Sequence, residues 1–166
     1  RSSDLAIMPK VNFHAAIFLV VRDADDRILL HQRAGTEWLP GYWDFPSGHV
    51  EDNESFAAAA VRELAEETSL SVRQEDLEII HVSINHTDEP YINVVFVARK
   101  WQGMPTITEP HKCSAMEFFA VNQLPEKLTL AVRNVLAAGF KPDLSGNVFV
   151  GHDQFAEIMG EEFKLY

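Results

Sequence analysis

The stretch SGHVEDNESFAAAAVRELAEETSL, residues 47–70, decides how this chain is read. Ala57, Ala60, Val61 and Leu64 recur at spacings of three and four and form one apolar stripe, so the pattern predicts a helix over 51–70. Its start carries EDNES, where Asp52 or Asn53 can cap and acids suit the first turn. Glu63, Glu66 and Glu67 then project roughly opposite the stripe as one acidic cluster. Like charges at that spacing cost about 0.2–0.5 kcal/mol per exposed pair, and anions near a helix C-terminus oppose its dipole. A bound divalent cation turns that repulsion into attraction, because Mg²⁺ and Mn²⁺ prefer hard oxygen ligands and keep several waters. A solvated acidic surface is the alternative; Arg62 beside the cluster and the Gly48 loop before it weigh against it.

Outward from this stretch, the chain reads as strands punctuated by turns. Residues 12–23 are β-branched and aromatic enough for a strand buried on both faces, and ADDR leads into a second strand over 28–34, read as a hairpin. Gly35, Pro40, Gly41, Pro46 and Gly48 make 35–48 loop-like. Residues 77–85 and 91–101 read as two strands around HTDEP, 115–121 as a short strand, and 124–140 as a closing helix with Glu126 near its start and Gly139 near its end. The breaker cluster KPDLSGN at 141–147 separates a domain over 1–140, with its core from about residue 12, from a tail over 141–166. Phe155, Ile158, Met159 and Phe163 give that tail an apolar helical face, packed back on the domain or serving as a homodimer contact or lid.

The composition bounds the partners. A net charge of -11 repels nucleic-acid backbones, so a polyphosphate substrate needs a cation to mediate contact. The lone Cys113 excludes an intramolecular disulfide and a cysteine zinc cage. The apolar run AAIFLVV is too short to span a bilayer, and the first residues lack the apolar core of a secretory signal, so a cytoplasmic protein with no membrane partner is expected.

Gly48, Glu54, Arg62, Glu63, Leu64, Glu66, Glu67 and Leu70 stand at the spacings of one signature: the stretch resembles the Nudix hydrolases, with Ser69 where that family usually has Gly. The resemblance extends over roughly 12–139 through DFPSG, WQGMP and the closing helix. It implies an α/β fold: an α/β/α sandwich with a mixed β-sheet and the signature loop-helix. It also implies hydrolysis of a nucleoside diphosphate linked to another moiety, with Mg²⁺ or Mn²⁺ as cofactor. A nucleoside triphosphate cleaved to monophosphate and pyrophosphate is the first expectation. ADP-ribose, nucleotide sugars and dinucleoside polyphosphates are the alternatives, as is a nucleotide sensor that no longer cleaves.

By matching position, the resemblance makes Glu66 and Glu67 the main metal ligands, Glu63 a third ligand or the base, and the Gly48 carbonyl a further ligand. Arg62 would orient the carboxylates and Glu54 would support the site from the helix start. Several family members recruit another glutamate from a later loop, which points to Glu109 in TITEPHK. Arg33, Phe45 and Asn85 are the candidate substrate contacts, for phosphate, base stacking and a base edge. A left-handed backbone at Ser69 would cost about 1 kcal/mol relative to glycine.

Overall fold

The computed structural model describes residues 12–86 and 89–150. Among these residues eight strands and two α-helices, with one 3₁₀ turn at Gln74–Asp76, follow one another as β1 (His14–Val21), β2 (Ile28–Arg33), β3 (Trp43–Asp44), β4 (Ser47–His49), α1 (Phe56–Thr68), β5 (Leu77–His86), β6 (Tyr91–Ala98), β7 (Cys113–Phe119), α2 (Leu130–Ala137) and β8 (Asp143–Val150). A mixed five-stranded sheet has the order β4-β1-β6-β5-β8, and a smaller antiparallel sheet the order β3-β2-β7.

Period-two alternation divides the apolar side chains of β1 between two layers. Ile17, Leu19 and Val21 join Val94 and Phe96 of β6 against Ala59, Ala60 and Leu64 of α1. Val20, Val95 and Val97 turn the other way, toward Ile28, Leu30 and Phe45 and toward Val132 and Val135 of α2. The large sheet is thus covered by α1 on one face and by α2 on the other, the sandwich expected, and the small sheet contributes to both layers, Leu29 to the first and Ile28 and Leu30 to the second.

Several elements differ from the sequence reading. β1 and β2 are not one hairpin: beyond an isolated Arg22–Ile28 bridge they pair in different sheets. The turn between them is fixed by Asp23 Oδ1, which accepts the backbone N–H of Asp25 and Arg27. The loop over 35–48 contains β3 and β4. α1 starts at Phe56, later than the pattern predicts, because Ser55 caps it by accepting the N–H of Ala58 while Asn53 sits at φ 63, outside helical geometry.

α2 is eight residues long, since the chain before it pairs in extended form: Trp43 N donates to Lys127 O, and Thr129 N to Trp43 O. The breaker cluster at 141–147 is corrected too, for β8 runs parallel to β5 as the edge strand of the large sheet. An edge tolerates Gly146 and the preceding Pro142, which a central strand would not. The helical face expected around Phe155 to Phe163 lies outside the described residues.

Ser69 ends α1 at φ 61, ψ 12, the left-handed conformation that the missing glycine implied, with its N–H on Ala65 O.

Candidate active site

α1, β4 and the small sheet meet around Arg62. Its guanidinium grips Glu54 bidentately, Nε to Oε1 and Nη2 to Oε2, both 2.9 Å. Nη1 donates to Glu63 Oε1 at 2.7 Å and to Glu66 Oε2 at 3.3 Å, and Nη2 also reaches His49 O at 2.9 Å. One planar cation therefore ties the loop before α1, the end of β4 and two helix carboxylates together, a task suited to arginine's rigid fork. Its pairing with Arg62 holds the Glu54 carboxyl down at about 2.

The three helix acids do not share one solvated face. Glu66 is exposed, while Glu63 and Glu67 turn inward with 15% and 19% of their side chains accessible. Glu63 presses against Gly48 so closely that a Cβ there would overlap its carboxylate, which explains the glycine. Glu67 Oε2 accepts the Ser47 N–H at 2.9 Å and lies 3.8 Å from His31 Nδ1. Burial, with the charges of Glu63, Asp44 and Glu109 adding to it, raises the Glu67 carboxyl to about 8. Burial also pushes Glu63 above its ordinary value, against the opposing pull of Arg62.

Glu109 stands in the loop between β6 and β7 as expected, paired with Lys112 Nζ at 2.8 Å and near enough to Glu67 to shift it. The loop is pinned to the end of α1, where Thr106 N donates to Thr68 O at 2.9 Å and the Thr108 hydroxyl to Glu66 O.

The substrate contacts fare unevenly. Phe45 is a correction: it is fully buried in the apolar layer under α2, so its ring offers no surface for stacking. Arg33 is engaged within the protein, its Nη1 3.7 Å from the buried Asp44 and its Nε donating to Trp38 O at 3.0 Å. Asn85 is half-buried near the end of β5, opposite Tyr91 of β6.

Sequence reasoning missed His31, Asp44 and the Ser47 amide. His31 and Asp44 are Cα partners across the β2–β3 ladder, a pairing between residues thirteen apart that no local pattern announces. Asp44 accepts from Thr129 Oγ1 at 2.7 Å and from the Phe45 N–H at 2.9 Å, and full burial still raises it to about 6.

The oxygen donors Glu63, Glu66, Glu67, Glu109 and the Gly48 carbonyl fit a hard divalent cation in kind and charge. Among the described residues no three of the acidic, histidine or cysteine groups converge on one point as placed, because Arg62 and Ser47 hold the carboxylates. Burial first, and the neighbouring carboxylates second, raise the proton affinity of Glu67.

This combination of sandwich, arginine-clamped helix acids and close-packed glycine defines a class. The model of the NUDIX domain matches residues 12–139, and the chain belongs to that family. Over 68 residues it is 37% identical to an 8-oxo-dGTP diphosphatase of Proteus vulgaris, covering 41% of this chain and 60% of that protein. Over 69 residues it is 35% identical to phosphatase NudJ of Escherichia coli K12, covering 42% of this chain and 44% of NudJ. The chain thus matches less than two thirds of the length of either relative. A MutT NUDIX hydrolase from Burkholderia pseudomallei superposes with a TM-score of 0.70 at 27% identity, covering 76% of this chain and 98% of that one. A MutT protein from Methanosarcina mazei gives 0.67 at 18% identity over 79% and 95%, a likeness of fold alone.

Proposed function

We propose that this chain hydrolyses a nucleoside diphosphate linked to another moiety, first among them a nucleoside triphosphate cleaved to monophosphate and pyrophosphate, with Mg²⁺ or Mn²⁺. The observation that carries this reading is the Arg62 clamp, which gathers Glu54, Glu63 and Glu66 beside Gly48 and the inward Glu67. Glu63, Glu66, Glu67, Glu109 and the Gly48 carbonyl would hold the cation. Bound there, it would neutralise the diphosphate and make water more acidic.

The protein's own groups supply the rest. Where Glu63 serves as the base and not as a third ligand, it would take the proton of the attacking water, and burial makes it more basic; Glu66 is the second candidate for that role. Water's oxygen forms the new bond to phosphorus, the bridging P–O bond breaks, and pyrophosphate departs with the bond's electrons. Arg62 orients Glu54, Glu63 and Glu66, and its pairing keeps Glu54 ionised.

The attached moiety would lie along the end of the large sheet. Asn85, Tyr91 and His14 form one row across β5, β6 and β1, and Ser83, Asn93, Ala16 and His49 the next row but one, on the same face. His14 stacks on Tyr91 with ring centres 5.1 Å apart, and the Tyr91 hydroxyl and His49 Nε2 are 3.0 Å apart. That polar, aromatic strip ends one residue from Gly48. The two relatives, an 8-oxo-dGTP diphosphatase and a phosphatase, support a phosphate compound as the substrate.

The test is turnover of nucleoside triphosphates, ADP-ribose, nucleotide sugars and dinucleoside polyphosphates with Mg²⁺, products being identified chromatographically. Cleavage of at least one compound is expected, reduced by at least ~100-fold in Glu66→Gln or Glu67→Gln. No turnover across the panel, with tight nucleotide binding intact, would mean a sensor.

A further inference from the structure

We propose that His31 is a positioning residue for Glu67, seating Oε2 against the protein so that Oε1 is the oxygen presented to a divalent cation. The inference rests on the reading of this site as a cation site and extends it to a side chain outside the signature stretch.

Three observations meet at one carboxylate. Glu67 Oε2 accepts the Ser47 N–H at 2.9 Å. The same oxygen faces His31 Nδ1 at 3.8 Å, too long for a hydrogen bond but close enough for the polar edge of the imidazole to bias where that oxygen rests. Oε1 takes no hydrogen bond among the described residues, although Glu67 is largely buried. The carboxylate is therefore asymmetric: one oxygen is held by a strand amide beside an imidazole wall, and the other is left to an incoming ligand.

The wall is itself fixed. His31 is 7% exposed in the middle of β2, between Leu30 and Gln32, and its Cα partner on β7 is Met116. Its Cα partner on β3 is Asp44, which is immobilised by the Thr129 hydroxyl and the Phe45 N–H. The small sheet thus forms a floor beneath the last turn of α1, and His31 is where that floor meets the carboxylate. A helix residue so near the C-terminal end would otherwise be free to swing with its side-chain torsions. Outer groups that orient a metal ligand typically carry roughly 10–100-fold in metal affinity.

The experiment titrates Mn²⁺ into the intact protein without substrate, by calorimetry, for wild type, His31→Leu and His31→Gln. Thermal unfolding checks that each variant is folded. His31→Leu keeps the bulk but loses the polar edge, and is expected to weaken Mn²⁺ binding by about 10-fold. His31→Gln restores a nitrogen-bearing edge and is expected to lie within about 3-fold of wild type, which a mere packing role would not single out. In any turnover assay, the metal concentration for half-maximal rate should rise in parallel, with kcat at saturating metal changed less. Folded variants that both bind Mn²⁺ like wild type overturn the inference, as does a wild type that binds none. Wild-type Mn²⁺ binding that depends on His31 but accompanies no hydrolysis of any compound overturns the proposed reaction and leaves the inference standing.

Discussion

Ser69 holds a left-handed backbone at φ 61 that the usual glycine of the signature would adopt without a Cβ penalty. Replacing it, Ser69→Gly, is expected to stabilise the fold by about 0.5–1 kcal/mol, read as a shifted urea midpoint with unchanged slope. The carboxylate ligands are untouched by that change, so turnover should stay within about twofold. Glu54 gives a sharper residue-level test. Its folded pKa is depressed to about 2 from 4.5 by the Arg62 pairing, so its contribution is fully present above 4.5 and is lost as pH falls through about 2. Glu54→Gln removes the titration. The stability gap between wild type and Glu54→Gln should therefore be widest above pH 5 and close steadily toward pH 2, as measured by denaturant unfolding at a series of pH values. At this scale the sequence was most informative where helix and preceding loop are contiguous in the chain, as in the reach of Arg62 to Glu54, Glu63 and Glu66, and less so for the inward turn of Glu63 and Glu67, which the rest of the fold imposes.

Elements were less legible, and the failures share one physical cause. Residues 124–129 have helix-compatible composition, yet Trp43 captures their backbone in a parallel bridge, and only 130–137 remain helical. β8 begins in a segment rich in turn formers, yet β5 offers it an open edge. In both cases a partner distant in sequence supplied hydrogen bonds that local preference could not foresee. The same non-local pairing hid His31 and Asp44 from the site, and placed Phe45 in the core instead of on the surface. Thr129 shows how much such a junction carries. It stands at the N-terminal cap position of α2 without capping it, because its hydroxyl serves the buried Asp44. Thr129→Val should destabilise the protein by about 1–3 kcal/mol, since a fully buried carboxyl loses a donor at nearly constant volume. Chemical denaturation measures it; a loss under about 0.5 kcal/mol would show that Asp44 is neutral and already satisfied.

Across the whole molecule, the two-layer packing around one sheet brings α1, β4 and the small sheet together at a cost in electrostatics. A chain of net charge -11 buries Glu67 near Glu63, Asp44 and Glu109, and the folded carboxyl is raised to about 8. The native state thus binds this proton more tightly than the unfolded chain does. Stability tied to Glu67 is full below about 4.5 and is lost as pH rises through about 8 in metal-free protein. Glu67→Gln mimics the protonated form without titrating. In EDTA at pH 8 this variant should melt higher than wild type, while near pH 5 the two should coincide. Adding Mn²⁺ at 100 times its dissociation constant should then stabilise wild type by about 2.7 kcal/mol and leave the variant nearly unmoved. Differential scanning calorimetry over pH 5–8, with and without Mn²⁺, reads all three effects. A variant that is less stable than wild type in EDTA at pH 8 would show that the inward carboxylate is compensated by the protein alone, and that the acidic cluster has no need of a cation.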